Sequence, residues 1–325
     1  MLRIHFGSED VARTTLRSEP DLLWELLLSL HMLQVGDGQV AFGSWRQRMR
    51  RTLPRELLGP LTTLAPPIGY SPDFLTPATD ATDVDEAVDA VLSTPKERIR
   101  IDIGRLATRS VPCWLDDLAA GRPQTVQRLA HSMRWFHRLA LEPYWWSIAV
   151  AVETDHRWRR SQLADHGVRA LLESVGPDAR WRDGVLEIGS LPDEELTLDG
   201  RGLRLQPSYF CWQQPIKLMD PELPPVLVFP VRHATGLMRS GQERPDTAGN
   251  LVALLGRTRA KVLERIASGA STTQIAVHCR ISPAAASQQT AVLREAGLVM
   301  SIRQGRFVRH TATALGQALL AGLEQ

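Results

Sequence analysis

Residues 271 to 311 constrain the fold more than any other stretch, because their capping and turn residues leave few alternatives. Ser282 followed by Pro283 marks a helix start: a serine caps orphan backbone N–H groups, and a proline loses nothing in the first turn. Gly297 supplies the stop. At about 100° per residue, Ala286, Gln289, Thr290, Leu293 and Gly297 fall on one side, expected to face the core. Ala284, Ser287, Gln288, Ala291 and Glu295 fall on the other. This second side is short and uncharged near its start, whereas a solvated helix face usually carries Lys and Glu. Small side chains let a helix sit close to something.

Upstream, STTQIAVHCR (271–280) reads as another short helix, capped by Ser271 or Thr272, with Ile275, Ala276 and Cys279 inward. A tight turn at Arg280 and Ile281 joins the two helices. Downstream, LVMSIRQGRFVRHT (298–311) holds two β-prone runs around Arg303, Gln304, Gly305 and Arg306, a hairpin signal in which Gly305 supplies the positive φ. Helix, turn, helix and basic hairpin in that order predict a winged helix, whose second helix enters the major groove of DNA while the wing follows the backbone or minor groove. The expected contact residues are Ser282, Ala284, Ser287, Gln288, Gln289 and Arg294 on the second helix, with Arg303, Gln304 and Arg306 on the wing. Gln288 suits a bidentate contact to adenine. Gln289 sits on the flank, placed for a phosphate or for the first helix.

The charge distribution points the same way. From Asn250 to Gln325 nine Arg or Lys stand against three acids, a net +6, so with +2 for the whole chain the first 249 residues carry −4. A basic segment attached to an acidic body fits phosphate contacts.

GRTRAKVLERIA (256–267), TTQIAVHCRISPAAASQQTAVLREAGLV (272–299), the RQGR wing and HTATALGQALL (310–320) resemble the ArsR-type winged-helix repressors; VLREAGLV (292–299) is especially typical of them. The likeness covers about the last quarter of the chain. GYSPDFLTP (69–77), RWRDGVLEI (180–188) and GRGLRLQPSYFCW (200–212) resemble actinobacterial ArsR-like regulators that carry a long N-terminal domain of unassigned role. The resemblance implies a dimer on a palindromic double-stranded DNA operator, acting as a repressor. It does not imply metal sensing here: the thiolate positions of the family's metal sensors are Ser271 and Thr273, and residues 311–325 contain no Asp or His. His310 stands alone ahead of that segment. Cys113, Cys211 and Cys279 lack metal-ligand or disulfide spacing; Cys279 reads as a small core residue, and a thiol sensor would need Cys113 and Cys211 to meet in space. No cofactor or metal is expected.

The remainder bounds the class. The 325 residues, 43% hydrophobic and 23% charged, are expected to form two or more soluble domains. The first twenty residues lack a signal-peptide pattern, and DLLWELLLSLHML (21–33) is too short to span a membrane and contains Glu25 and His31, so it reads as a buried helix. A cytoplasmic protein without a membrane partner is expected. Helical patterns cover 83–92, 123–139 and 155–175, the last burying Trp158, Leu163, Leu171, Leu172 and Val175 with Arg157, Arg159 and Arg160 outside. Residues 59–80 read as an ordered loop packed by Tyr70, Phe74 and Leu75. From Arg180 to Val231 the period changes to strands, with hairpin turns at Asp183-Gly184 and Asp199-Gly200, which predicts an antiparallel meander. The expected fold is therefore α+β: a body over 1–238 of mixed helices and antiparallel meander, a linker over 239–250, and a winged helix-turn-helix over 251–325 that also dimerises.

All nine tryptophans lie in the body, densest in WFHRLALEPYWW (135–146). Two readings stand for this patch: a core of bulky side chains, or a pocket lined by Trp135, His137, Tyr144, Trp145 and Trp146 for an unknown small organic effector. An enzymatic or small-molecule-binding body, with the helix-turn-helix used only for dimerisation or docking, is the alternative function. No nucleophile elbow, phosphate loop or metal-spaced cluster names a catalytic residue for it.

Overall fold

The helix Leu22–Gln34 organises the first part of the chain: every residue from Leu23 to Leu30 is buried, as are Met32 and Leu33. Its start is fixed by Asp21, whose carboxylate accepts the N–H groups of Leu23 and Trp24. The computed structural model describes residues 1–79, 81–106, 112–232, 247–267, 269–304 and 307–321. The chain divides into two compact units, Met1–Gln242 and Glu243–Gln325.

In the first unit, helices Gln39–Thr52, Arg55–Leu64, Val84–Leu92 and Pro123–Phe136 contribute to one apolar core around Leu22–Gln34. The segment expected as a loop over 59–80 begins inside the Arg55–Leu64 helix, which contains Pro60; Phe74 and Leu75 are buried in a 3₁₀ turn, and residue 80 lies outside the described residues. After Phe136 the helix widens into a π turn over His137–Leu141, and the indole N–H of Trp45 donates to the Ala140 carbonyl at 2.8 Å.

The segment Trp145–Glu173 follows, broken at Gly167 (φ 78°, ψ −179°). The burial pattern expected over 155–175 is corrected here. Trp158 and Leu163 are 36% and 39% exposed, while Arg159 is buried at 2%. The Arg159 guanidinium pairs with Asp155 at 2.6 Å, donates to Ser174 and stacks 4.3 Å over the Phe229 ring.

Two four-stranded sheets complete this unit. One is ordered β3 (Ala179–Arg182), β4 (Val185–Ile188), β1 (Leu2–His5), β5 (Glu194–Thr197); the other β2 (Thr15–Leu16), β6 (Arg204–Ser208), β8 (Val226–Pro230), β7 (Ile216–Lys217). The antiparallel meander expected over 180–231 is thus corrected. Two consecutive pairs form antiparallel as anticipated: β3–β4, its turn made by Asp183 (φ 48°) and Gly184 (φ 83°), and β7–β8. The N-terminal strand β1 inserts beside β4 and pairs with β5 in parallel; β2, β6 and β8 are parallel as well. Asp199-Gly200 leads out of the first sheet into the second. A second apolar core, including Leu2, Ile4, Leu172, Ile188, Leu205 and Phe229, forms around these strands.

The second unit runs through helices Thr247–Leu255 and Arg257–Ala267, strand β9 (Ala270–Ser271), helices Thr272–Cys279 and Pro283–Glu295, strands β10 (Val299–Gln304) and β11 (Phe307–Ala312), and helix Ala314–Ala321. Residues 247–250, expected within the linker, are helical, and 239–246 lie outside the described residues. β10, β11 and β9 form one antiparallel sheet around an apolar core that includes Val262, Leu263, Ile275, Ala286 and Leu293. The whole chain is α+β, and no helix of the described residues is long and apolar enough to cross a membrane.

Candidate functional site

The two short helices are set by reciprocal caps. Ser271 Oγ accepts the Gln274 N–H at 3.3 Å while Gln274 returns a bond to the Ser271 N–H at 2.9 Å, the capping box that defines the first helix. Its end is closed by Arg280 in the left-handed region (φ 55°), with the Ile281 N–H bonded to the Ala276 carbonyl at 3.0 Å. Ser282 Oγ accepts the Ala285 N–H at 3.1 Å and Pro283 occupies the first turn, as the sequence predicts. At the far end Gly297 (φ 73°) lets Leu298 bond back to Leu293 at 2.9 Å and bury its side chain.

These caps fix which side of the Pro283–Glu295 helix is outward. Ala286, Thr290 and Leu293 are buried; Ala284, Ser287 and Gln288 are exposed, with Arg294 exposed near the helix end. Ser282 is exposed too, although its hydroxyl is occupied as the cap. Gln289 differs from its neighbours: its Oε1 accepts from the Arg259 guanidinium at 3.2 Å, so it ties this helix to Arg257–Ala267. Arg303 and Gln304 end β10, facing Val308 and Phe307 across the ladder, and are described by backbone alone. Arg306 lies outside the described residues. Arg257, Arg259, Lys261, Arg280, Arg294 and Arg309 are all exposed.

One residue of this site has a role the sequence did not show. His310, 5% exposed, sits between the hairpin and the first helix: Nε2 is 2.9 Å from Thr272 Oγ1 and Nδ1 is 2.8 Å from Ser301 Oγ. Burial, helped by the charge of Arg294, lowers its pKa and favours the neutral ring. A neutral imidazole has one donor and one acceptor, and two hydroxyls can satisfy both. The only sequence signal is a histidine within a β-prone run; its partners lie 38 and 9 residues away.

In the first unit, His137 and Tyr144 are buried, and Trp135, Trp145 and Trp146 are half-buried along helical segments. Tyr144, Trp135 and Trp145 belong to or pack against the larger core, and the His137 ring lies 5.7 Å from that of Trp145. Cys113 is exposed, while Cys211 is fully buried with its thiol 3.2 Å from the Gln214 carbonyl, and burial pushes that thiol up. Cys279 is half-buried against the smaller core. Among the described residues no three His, Cys, Asp or Glu side chains assemble as a metal-ligand set.

No family model, curated protein or solved structure matches the chain.

Proposed function

We propose that the second unit is a winged helix-turn-helix of ArsR type that binds double-stranded DNA, with the Pro283–Glu295 helix in the major groove and the β10–β11 hairpin as the wing. The observation that carries this is the outward face of that helix: Ala284, Ser287 and Gln288 are small or hydrogen-bonding, uncharged and exposed, in a unit whose exposed surface is basic. The alanine permits close approach, and Ser287 and Gln288 offer groups to base edges. Arg294, with Arg303 and Arg306 of the wing, supplies phosphate contacts, and Gln289 acts through Arg259.

The protein works as a cytoplasmic homodimer on a palindromic operator, as a repressor. Leu254 and Leu315, 68% and 59% exposed on the helices flanking the DNA-binding elements, support a two-fold contact there. It does not sense metals through the family's thiolate positions, since Ser271 is a helix cap and Thr273 is an exposed hydroxyl; arsenite or cadmium is expected to leave DNA binding unchanged.

Binding of a labelled random duplex across a salt series tests the reading. The logarithm of the association constant should fall linearly with log salt, and Arg303→Ala or Arg306→Ala should each reduce the slope by about one unit. Absence of binding at low salt would refute it.

A further inference from the structure

Away from these elements, a groove of about 660 Å³ in the first unit follows one face of the Gln39–Thr52 helix, on which Gln39, Gly43, Arg46, Gln47 and Arg50 recur every three or four residues. Arg51 lines it as well, and no acidic, aromatic or aliphatic side chain is found among the described residues of its lining. The helix carries four arginines and no Asp or Glu, in a chain whose first 249 residues are net −4, so the positive charge is concentrated here.

The three arginines of the groove differ in what they leave free. Arg46 is buried, and its guanidinium is fixed by neutral acceptors: the carbonyl oxygens of Met32 at 2.8 Å, Gly36 at 3.1 Å and Asp37, with the Gln39 amide oxygen at 3.4 Å. Those bonds hold the cation in place without cancelling its charge. Arg50 is exposed and makes a single long bond, 3.4 Å, to the Leu33 carbonyl, while Arg51 is exposed with no hydrogen bond or ion pair among the described residues. Burial and then the Arg50 charge disfavour the Arg46 cation, partly offset by the exposed Asp37. Guanidinium groups that repel one another along a groove without a carboxylate form a preset positive site. An anion there would be attracted by all three charges and would take its hydrogen bonds from Arg50 and Arg51.

We propose that this groove binds a small hydrophilic phosphate monoester, a polyol or sugar phosphate in class, with Arg50 and Arg51 donating to the phosphate oxygens. A monoester carries close to two negative charges at neutral pH and presents several acceptor oxygens, which suits neighbouring guanidinium groups better than a single carboxylate does. The side chain of Gln47, exposed and without a hydrogen-bond partner among the described residues, is available to the ligand's hydroxyls. With no aromatic or aliphatic wall, the groove offers no platform for a nucleobase or an apolar effector.

Isothermal titration calorimetry of the full chain with glycerophosphate at low salt, without DNA, tests this independently of the DNA-binding reading. Saturable one-to-one binding in the millimolar range or tighter is expected. Arg50→Gln and Arg51→Gln, at exposed positions where circular dichroism should stay unchanged, should each weaken it roughly ten-fold, the share of one charge-assisted hydrogen bond. Arg48→Gln removes the same charge from the same helix outside the groove and should change the affinity by less than about two-fold. Absence of saturable binding, or equal weakening by all three variants, would overturn the site, the latter showing diffuse attraction to a basic helix. Glycerate binding as tightly as glycerophosphate would overturn the phosphate class. A random duplex that loses affinity with Arg50→Gln and Arg51→Gln but not with Arg48→Gln would assign the groove to a DNA backbone and overturn the small-molecule class.

Discussion

The imidazole of His310 lies 2.9 Å from the Thr272 hydroxyl and so ties the hairpin to the first turn of the Thr272–Cys279 helix. Its other nitrogen holds Ser301 on the neighbouring strand. This buried contact adds to the β9–β11 pairing, which places the hairpin beside the first short helix.

His310→Ala is expected to destabilise the second unit by roughly 2–3 kcal/mol, because it opens a cavity and leaves two hydroxyls without their ring partner. His310→Gln, which keeps a donor and an acceptor, should recover part of this. All nine tryptophans precede residue 213, so tryptophan fluorescence reports the first unit alone while circular dichroism reports both. The urea transition should therefore move in dichroism and stay in place in fluorescence; a shift in fluorescence alone would contradict the assignment.

Gly316 packs against the chain where the Pro283–Glu295 helix passes into β10. A Cβ there would collide with the Leu298 carbonyl oxygen, and Thr313, which caps the last helix, bonds both Gly297 and Leu298. Gly316→Ala should cost roughly 2–3 kcal/mol of second-unit stability through overpacking. Differential scanning calorimetry is the check, and an unchanged transition would mean the last helix does not dock as described.

The pH dependence of the first unit should show two opposing contributions. His31 is held at about 4 against an ordinary 6.5, so the unfolded chain binds the extra proton between these values and stability rises with pH across that window. Glu25, buried beside the N–H groups of Tyr209 and Phe210 and the Ser208 hydroxyl, is pushed by burial up to about 7 from 4.5, so the folded chain binds the extra proton and stability falls between those values. Each contribution is on the order of 3 kcal/mol and they largely cancel. Urea midpoints followed by tryptophan fluorescence between pH 4.5 and 7 should tilt in opposite directions: relative to wild type, His31→Gln should lose the rise and Glu25→Gln the fall. Parallel tilts would contradict this.

What the sequence revealed and what it hid have physical causes. The caps at Ser271 and Ser282 and the stop at Gly297 act within a few residues, so they can be read without knowing the fold. Strand β1 is only four residues long, and its partners lie about 180 positions away; nothing local in Leu2–His5 names them, and the insertion converted an expected meander into mixed sheets. Helical period and charge alone place Arg159 outside; Asp155, one helical turn earlier, pairs with it and permits its burial. Within the candidate site, the exposed face at Ala284, Ser287 and Gln288 was legible from helical period, whereas the engagement of Gln289 by Arg259 and the His310 contacts depend on tertiary proximity.

Selection of fragments bound by the full chain from the genomic DNA of its source, repeated with Gln288→Ala, tests the central claim most directly. A shared two-fold symmetric motif should emerge with wild type and disappear with Gln288→Ala, at a cost of about 1–3 kcal/mol on that site and little on random duplex. No enriched motif, or a motif that Gln288→Ala leaves intact, would contradict the assignment of Pro283–Glu295 as the helix that reads DNA.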